Sequence, residues 1–399
     1  MSKYLDIIPI HTCTGCGACN AICPRQCITM DEDNRGFRIP YINMNECIHC
    51  NLCKKTCPVL NVINDEDFFL KPIIALAAKN CNSDVAKQSS SGGIFSVIVD
   101  NILGKQGTVY GVAMSEDLHA RHIRIDNYNE IDNIRGSKYL HSDSSNIYPL
   151  VKADLISGKN VLFSGTPCQI AALRQFLRKD YINLLCVEVI CHGVPSSLAF
   201  RKYVKALEKR YHSKVVKINF RDKSKGWIQN SISFYFENGK KYSQLGNDNL
   251  FMMAYVNNLI VRDCCLNCKF KGFRSGADIT LGDMWGIENI LPNYDTSTGV
   301  SMISINTLKG KSEYEDIKSN LLDCVEVPYE DVKRYNSCIS CSVSGNEYRE
   351  VFLQNLKKSQ IIPDLKKYLN INSTSVLKKN YMRLKAKIVS LLVSIKHRF

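Results

Sequence analysis

The stretches CTGCGACNAICP at residues 13–24 and CIHCNLCKKTCP at residues 47–58 repeat one cysteine spacing twice. Each run follows the pattern C-x2-C-x2-C-x3-C-P, which is the bacterial run that holds two [4Fe–4S] clusters. Three thiolates spaced two residues apart wrap three corners of a cube, and a distant cysteine closes the fourth corner. The repeated spacing therefore predicts a two-cluster ferredoxin domain, and so a protein that carries electrons.

The fourth cysteine of each run is expected to cross over and bind the other cluster. One cluster then takes Cys13, Cys16, Cys19 and Cys57, and the other takes Cys23, Cys47, Cys50 and Cys53. Tetrahedral zinc is the alternative, but zinc sites draw on separated C-x2-C pairs rather than on triplets. We also expect short strands at residues 27–30 and 38–42, and a short helix beginning at each Cys-Pro.

Composition and charge narrow the class of protein. The 399 residues leave room for two or three domains, and 45% hydrophobic with 23% charged residues is ordinary for a globular protein. We find no signal peptide and no run of about 18 apolar residues, so we expect a cytoplasmic protein with reduced cysteines. The net charge of +14 does not lie on a recognisable nucleic-acid-binding motif, which argues against a nucleic acid partner.

Much of the positive charge lies in the tail. Residues 365–399 contain nine Lys or Arg and no acidic residue, whereas residues 1–67 are slightly acidic. Apolar residues recur every three or four positions between Leu377 and Ile395, so residues 373–399 are predicted to form a basic amphipathic helix. Such a helix either makes peripheral contact with a membrane containing anionic lipid or packs on this protein or a partner subunit.

Beyond residue 70, strand-like and helix-like segments alternate. IIALAAK, NVLFSG and YINLLCVEVIC have the composition of strands, and amphipathic helical segments lie between them. This alternation favours an α/β fold with a mostly parallel sheet, and the strand-rich stretch after Lys214 suggests a β-rich insertion. With the ferredoxin domain included, the whole chain is of the α+β kind. The predicted divisions are a ferredoxin domain at 1–66, an α/β domain in two parts at 70–150 and 151–330, an extension at 331–372 and the tail helix at 373–399.

A second set of cysteines lies at strand ends of the α/β part. GTPC at 165–168 and CHG at 191–193 each follow a predicted strand, and CLNC at 265–268 supplies a C-x2-C pair. The four thiols provide the number that a third [4Fe–4S] cluster needs. They are Cys168, Cys191, Cys265 and Cys268.

Other interpretations of these cysteines remain open. Cys264 is an ambiguous neighbour of Cys265, and scattered cysteines are more often buried apolar side chains than ligands. A cysteine nucleophile paired with His192 is another alternative, weakened because adjacent residues of a strand point to opposite faces. Cys338 and Cys341 stand alone as a pair, and we expect them not to hold a cluster.

Two loops and one strand end carry groups that suit a phosphate or a flavin. SSSGG at 89–93 precedes a predicted helix, and RGSKY at 135–139 combines two cations, a hydroxyl and an aromatic ring. Taken alone, the first is more often a plain helix start and the second a solvated loop. The backbone N–H groups around Gly165 and Thr166, where a buried strand meets a helix, are also able to hold phosphate. The sequence contains no Walker A loop and no G-x-G-x-x-G fingerprint, so neither ATP nor a Rossmann-bound nicotinamide is indicated.

Six motifs in order resemble the coenzyme F420 hydrogenase/dehydrogenase beta subunit family. They are SSGG (90–93), RGSKY (135–139), GTPCQIAALR (165–174), CHGVPS (191–196), CLNC (265–268) and ADITLGDMWG (277–286). The resemblance implies an iron–sulfur flavoprotein that passes electrons between a chain of clusters and a substrate at FAD, with the later thiolates holding the third cluster. The CHG form departs from the F420-specific members and resembles bacterial members that accompany surface-polysaccharide genes, so the substrate stays open.

The same resemblance assigns roles to individual residues. The expected FAD contacts are Ser91, Gly92, Gly93, Ser137, Lys138 and Tyr139, with Gly165 and Thr166 beside them. Lys138 is the expected catalytic residue, because a cation near the flavin stabilises the negative charge that develops on reduction. Asp278, Asp283 and Trp285 are expected close to the redox centre.

The sequence therefore predicts an oxidoreductase that contains FAD and [4Fe–4S] clusters. Its electrons would come from ferredoxin or a partner subunit, and its substrate would be a small molecule. The alternative is a non-catalytic electron-transfer subunit whose partner holds the active site, because no acid–base pair can be identified in the sequence. If the tail helix binds the membrane, the protein is expected at its inner face; otherwise a purely cytoplasmic location is expected.

Overall fold

The computed structural model describes residues 2–4, 8–62 and 71–371. The predicted tail helix at 373–399 lies outside the described residues. Within the described ranges, the strands form two three-stranded sheets and one eight-stranded sheet. No helix in this part of the chain is both long and apolar enough to cross a membrane.

The N-terminal domain combines a small antiparallel sheet with two short helices. Strands β1 (Ser2–Tyr4), β2 (Ile28–Glu32) and β3 (Arg38–Asn43) form the sheet in the order β1-β3-β2, and helices α1 (Ala18–Ala21) and α2 (Leu52–Thr56) accompany it. The strands agree with the sequence, but the prediction of a helix beginning at each Cys-Pro is wrong. Each helix ends before its Cys-Pro, since proline drives the residue in front of it out of the helical region, as the extended backbone of Cys57 shows.

The remaining strands, β4 to β14, alternate with helices for much of the chain. They are β4 (Ile74–Asn80), β5 (Thr108–Met114), β6 (Ala120–Ile125), β7 (Val161–Gly165), β8 (Leu184–Val189), β9 (Val215–Asp222), β10 (Ser231–Phe236), β11 (Lys241–Leu245), β12 (Ile279–Asp283), β13 (Ser301–Ile305) and β14 (Leu321–Glu326). The alternation places this part of the chain in the mixed α/β class that the sequence predicted.

The remaining helices, α3 to α14, accompany these strands. They are α3 (Ser83–Gln88), α4 (Ile94–Gly104), α5 (Ile131–Ile134), α6 (Tyr148–Ile156), α7 (Pro167–Leu177), α8 (Ser197–Tyr211), α9 (Leu250–Val256), α10 (Ile287–Ile290), α11 (Leu308–Ile317), α12 (Tyr329–Tyr335), α13 (Arg349–Asn355) and α14 (Ile361–Tyr368). Asn82 and Ser196 begin α3 and α8 by accepting backbone N–H hydrogen bonds in their side chains, as good N-caps do.

The eight-stranded sheet has the order β14-β4-β13-β12-β8-β7-β5-β6. Five of its strands, β4, β12, β8, β7 and β5, run parallel, while β14, β13 and β6 run antiparallel to them. The carboxyl ends of the five parallel strands therefore meet at one edge. In open α/β sheets this edge is where ligands bind.

Alternating side chains cover both faces of this sheet. Leu162 and Leu185 pack with α4 and α11 on one face, whereas Phe163 and Cys186 pack with α6 and α7 on the other. This period of two over strands buried on both sides explains why the sequence shows continuous apolar runs here.

Strands β9, β10 and β11 form the separate sheet that the sequence predicted as a β-rich insertion, in the order β11-β10-β9. Its apolar face, including Phe234, shares a core with α8, α9, α13 and α14. Helices α12 to α14 come from the stretch predicted as an extension. The insertion lies against the carboxyl edge of the large sheet, because Arg221 in β9 and Trp227 after it donate to Asp283, the last residue of β12.

Candidate functional site

The eight N-terminal cysteines lie in two groups of neighbouring thiols. The first group is Cys13, Cys16, Cys19 and Cys57, and the second is Cys23, Cys47, Cys50 and Cys53. Each group draws its fourth member from the other run, which is the crossed pattern expected from the spacing. Cys50 is exposed, whereas Cys13 and Cys16 are buried.

Burial strongly affects the first group of thiols. It raises the pKa of the Cys16 thiol to about 12 and raises the pKa of Cys19 well above its usual value. Such thiols become thiolates only when a cation lies beside them, and a bound iron cluster supplies that charge. Within the described ranges, no three His, Cys, Asp or Glu side chains converge closely enough for a single metal ion. Each group supplies the four thiols that a [4Fe–4S] cluster needs, so the donor set fits a cluster.

A cavity of about 180 Å3 lies at the carboxyl edge of the large sheet. Its walls contain the four thiols predicted to hold a third cluster, namely Cys168, Cys191, Cys265 and Cys268. Thr12, Thr14 and Val59 of the N-terminal domain line the same cavity. A single water needs only about 10–15 Å3 of such space, so the cavity is far larger than one ion requires and suits a cluster.

Strand ends and helix starts position these thiols. Cys168 lies in the first turn of α7, where Thr166 and Gln169 form a capping box and the Thr166 hydroxyl oxygen is 3.3 Å from the Cys168 sulfur. Cys191 follows β8, and Cys265 lies in a 3₁₀ helix over Asp263–Asn267. Strand ends separated by long stretches of sequence therefore deliver thiols to one cavity.

The thiols of this group differ in acidity. Burial, followed by repulsion from Cys191, raises the pKa of Cys168 well above its usual value. By contrast, a hydrogen bond from the neighbouring Cys264 lowers the pKa of Cys265 to about 7, and the Val194 N–H donates to the same sulfur at 3.4 Å. The Cys264 thiol and the Val194 N–H thus both favour the thiolate form of Cys265.

Arg262 lies between the first thiol group and the cavity. Its Nε donates to the Cys13 carbonyl oxygen at 2.7 Å, and its Nη2 donates to the Arg38 carbonyl oxygen at 2.8 Å. Its Nη1 is buried without a hydrogen-bond partner in the part of the chain that the structure describes. Gly15, at φ +72°, makes room for it, because a Cβ there would lie 2.8 Å from Nη1. The guanidinium is within electrostatic reach of the Cys13 and Cys265 thiols.

Further polar contacts fix the N-terminal domain on the α/β part. The hydroxyls of Tyr148 and Ser144 donate to the Cys16 carbonyl oxygen at 2.9 and 3.1 Å. Arg38 forms an ion pair with Asp143 at 2.7 Å. These contacts hold the first thiol group in a fixed place relative to the cavity.

The SSGG and RGSKY loops meet at the same edge of the sheet. The Ser137 N–H donates to the Ser90 hydroxyl at 2.7 Å, which joins the two loops. The Ser91 hydroxyl donates to the Val300 carbonyl oxygen at 2.6 Å, and the Gly92 N–H donates to the Ser301 hydroxyl at 2.9 Å. The loops are therefore held by strand β13 and by each other.

Lys138 supports the end of a helix. Its Nζ donates to the carbonyl oxygens of Asn133 and Arg135 at 3.3 and 2.9 Å, which are the last carbonyls of α5 and its C-cap. Burial lowers the pKa of this amine to about 7.

Most of the hydrogen-bond donors predicted to contact FAD already donate to acceptors within the protein. This applies to Ser91, Gly92, Ser137 and Lys138, and to the Thr166 N–H, which donates to the Gln169 side chain at 3.1 Å. The thiols fit iron–sulfur clusters, whereas the phosphates of FAD would have to compete with the contacts that these donors make within the protein.

The sequence indicated only some members of a buried charged cluster at the carboxyl edge of the large sheet. Arg221 makes a bidentate ion pair with Asp283 at 2.6 and 2.9 Å and also donates to the Tyr139 hydroxyl at 3.1 Å. The Trp227 Nε1 donates to Asp283 at 2.7 Å, and its ring stacks on Trp285 with centroids 5.0 Å apart. The sequence indicated Asp283, Trp285 and Tyr139 but missed their partners. That the chain has just two tryptophans, both here, was the available signal.

Two more residues depart from the sequence analysis. Lys223, which the sequence did not indicate, donates to the carbonyl oxygens of Ala86, Ser91 and Thr298 at 2.6–2.8 Å and so ties the SSGG loop to the insertion. Asp278 precedes β12, whereas Asp283 is its last residue, so the two lie at opposite ends of one strand. Asp278 accepts the Cys186 N–H at 2.8 Å and is remote from the carboxyl edge.

Comparison with known families agrees with this geometry. Residues 158–330 match the C terminus of the coenzyme F420 hydrogenase/dehydrogenase beta subunit, and residues 12–61 match a 4Fe-4S dicluster domain. The predicted family is thereby confirmed for residues 158–330. The chain is an iron–sulfur redox protein related to that family, with a dicluster domain in front, as the six motifs and the cysteine runs predicted.

Among solved structures, the chain is similar to one from the xenon-derivatised F420-reducing [NiFe] hydrogenase complex of Methanosarcina barkeri. The two share 17% identity with a TM-score of 0.45, and the match covers 76% of this chain and 94% of that one. Comparison with curated proteins gave no match.

Proposed function

We propose that this protein is an electron relay in which three [4Fe–4S] clusters lie in series. The outer cluster would be held by Cys23, Cys47, Cys50 and Cys53, the inner one by Cys13, Cys16, Cys19 and Cys57, and the third by Cys168, Cys191, Cys265 and Cys268. The exposed Cys50 makes the outer site the natural entry for electrons from ferredoxin or a partner subunit.

One observation carries this proposal. The cavity containing the four later thiols is also lined by Thr12 and Thr14, which flank Cys13, and by Val59, two residues after Cys57. The inner and third sites are therefore neighbours. A path from the outer cluster to the third would need no movement of one domain relative to the other, since Tyr148 and Arg38 hold the N-terminal domain in place.

The acceptor of these electrons is proposed to lie at the carboxyl edge, between the SSGG and RGSKY loops. If FAD binds there, it couples one-electron transfer from the clusters to two-electron chemistry on a small-molecule substrate. Arg221 and Trp285 would then border it, and the buried Arg221 Nε, which has no partner among the described residues, is a donor still available. FAD binding would require Lys138 to leave the α5 carbonyls before it acted on the flavin or the substrate.

A second candidate, a non-catalytic electron-transfer subunit, is favoured because the hydrogen-bond donors of the two loops already have partners inside the protein. Because Ser91, Gly92, Ser137 and Lys138 already have partners inside the protein, FAD has to compete with contacts that hold the loops. In this candidate, electrons pass from the third cluster to a partner subunit that contains the active site.

The third cluster is tested by replacing one of its thiols. Cys168→Ser is expected to reduce the iron content of anaerobically purified protein from about 12 to about 8 per chain and to remove one of three cluster signals. Cys186→Ala is the control, since Cys186 is a buried cysteine of the same sheet that lies outside the cavity. Equal iron in both variants would contradict the proposed ligand set.

The acceptor is tested by flavin extraction and donor oxidation. Protein that retains about one FAD per chain and loses it in Asp283→Asn supports the flavoenzyme. Protein without flavin that accepts electrons from reduced ferredoxin, and passes them on only with a partner subunit present, supports the electron-transfer subunit. Either result distinguishes the two candidates, and neither changes the proposal of three clusters in series.

From its sequence alone, the tail is proposed to contact a membrane or a partner subunit. Flotation with anionic vesicles compares the full chain with a chain that ends at Ser373. Loss of flotation on truncation supports membrane contact, and equal recovery rejects it.

A further inference from the structure

The pair Cys338 and Cys341, which the proposed relay does not use, lies on one turn of the chain. A 3₁₀ helix over Ser337–Ile339 follows α12, and the Cys341 N–H donates to the Ser337 carbonyl oxygen at 2.8 Å. Residues three apart on such a turn lie on the same side. Cys341 is exposed and Cys338 is half-buried, so the pair presents one accessible and one sheltered thiol.

This turn is attached to the loop that supplies two thiols of the cavity. The Cys268 N–H donates to the Ser342 hydroxyl at 2.8 Å, and the Lys271 Nζ donates to the Cys341 carbonyl oxygen at 2.8 Å. The Gly272 N–H donates to the Ile339 carbonyl oxygen at 2.9 Å. Three hydrogen bonds along one segment therefore fix the pair beside the third cluster site.

His192 links the sheltered thiol to the cavity wall. Its Nε2 is 2.7 Å from the Asn258 Oδ1, an acceptor, so Nε2 carries the ring hydrogen. Its Nδ1 is then left as an acceptor, 3.8 Å from the Cys338 sulfur. The Cys338 thiol is also within electrostatic reach of Cys191. The histidine that the sequence paired with a cysteine nucleophile thus faces Cys338, 146 residues away along the chain.

We propose that Cys338 and Cys341 form a reversible dithiol–disulfide pair that exchanges electrons with the third cluster and reduces a disulfide in another molecule. C-x2-C pairs on a turn suit this chemistry, because the exposed thiol attacks and the sheltered one resolves. The proposal rests on the proposed function, since the third cluster is the source of electrons.

The reaction balances in two half-steps. The Cys341 thiolate attacks the external disulfide and releases one of its halves as a thiol. Cys338 then attacks the mixed disulfide, so the second half leaves as a thiol and the Cys338–Cys341 bond forms. Two electrons, delivered one at a time through the cluster chain, together with two protons from solvent, cleave that bond and restore two thiols.

Oxidised glutathione is the probe. After anaerobic treatment and alkylation, peptide mapping is expected to find Cys338 and Cys341 joined, while the exposed Cys81, which has no C-x2-C partner, takes part in no intramolecular bond. Cys338→Ser is expected to accumulate a glutathione adduct on Cys341, because no resolving thiol remains. Subsequent titanium(III) citrate is expected to free both thiols in the wild type but not in Cys265→Ala.

Iron content distinguishes a failure of the dithiol proposal from a failure of the third cluster. Free thiols at both positions after oxidation, in a chain with about 12 irons, would overturn the dithiol alone. About eight irons in the wild type would overturn the third cluster and the electron source with it. A loss of about four irons in Cys341→Ser would make the pair cluster ligands and overturn the proposal.

Discussion

Replacing Arg262 by glutamine removes the buried positive charge that lies between the inner and third cluster sites. Glutamine ends near the position of the arginine Nε, so it keeps an N–H donor for the Cys13 carbonyl oxygen but loses the contact that Nη2 makes with the Arg38 carbonyl oxygen. The charge-keeping variant Arg262→Lys therefore accompanies it, and the difference between the two reports the electrostatic effect. Each cluster becomes more negative by one charge when it is reduced, and a neighbouring guanidinium stabilises that reduced state.

Coulomb's law gives the order of magnitude of the effect for an assumed separation. A unit charge about 8 Å from a cluster, at an effective dielectric constant of about 20, contributes roughly 2 kcal/mol. Since 1.4 kcal/mol corresponds to about 59 mV for one electron, Arg262→Gln is expected to lower the reduction potential of each flanking cluster by about 85 mV. The outer cluster, which lies further from Arg262, is expected to change much less.

Anaerobic redox titration followed by electron paramagnetic resonance measures each potential. Arg201→Gln is the matched control, because Arg201 also crosses the domain junction, pairing with Glu32 at 2.8 Å, but is partly exposed. Arg262→Lys keeps the charge and is expected to stay near the wild-type potentials. Unchanged potentials in Arg262→Gln, or an equal shift in Arg201→Gln, would refute the reasoning.

Three further substitutions test the interior of the α/β part. Burial raises the pKa of Glu188 to about 7 from 4.5, so the folded state keeps a proton that the unfolded chain has lost. The stabilisation from the protonated Glu188 is therefore full below about pH 4.5 and is lost as the pH rises through 7. The unfolding free energy should fall by up to about 3 kcal/mol over this range. Urea unfolding of Glu188→Gln at several pH values should not show this fall. Asp283→Asn leaves the buried Arg221 guanidinium unpaired and should cost about 3–5 kcal/mol of unfolding free energy. Tyr148→Phe removes one of two hydroxyls that donate to the Cys16 carbonyl oxygen, so thermal unfolding should show a loss of about 1 kcal/mol with unchanged iron.

Exposed pairs supply the controls for these substitutions. Asp316→Asn breaks the ion pair with Lys105 at the surface and should cost less than about 1 kcal/mol. A loss for Asp283→Asn no larger than this would show that Arg221 finds another partner. Glu315→Gln, at the exposed pair with Lys318, should likewise cost less than about 1 kcal/mol.

Local features were predictable from the sequence. The cysteine runs indicated the ferredoxin domain because ligand spacing is set over a few residues, and the apolar runs of β7 and β8 indicated strands buried on both faces. The helices α1 and α2 were misplaced because a Cys-Pro pair resembles a helix start, whereas each proline here follows a helix.

Contacts between distant residues were not predictable in the same way. Arg221 and Asp283 are 62 residues apart, and nothing local in either segment indicates the other. Asp278 and Asp283 look like neighbours in the sequence, but a five-residue strand separates its ends by roughly 17 Å. Lys138 looked like a free cation until the fold supplied carbonyl oxygens from α5.

The central claim, three clusters in series, is tested most directly by quantifying iron and spins in the fully reduced wild-type chain. The relay predicts about 12 irons and three cluster spins per chain, with magnetic coupling between the inner and third clusters because their sites share a cavity wall. About eight irons and two spins, with no coupling beyond that of the dicluster domain, would contradict it.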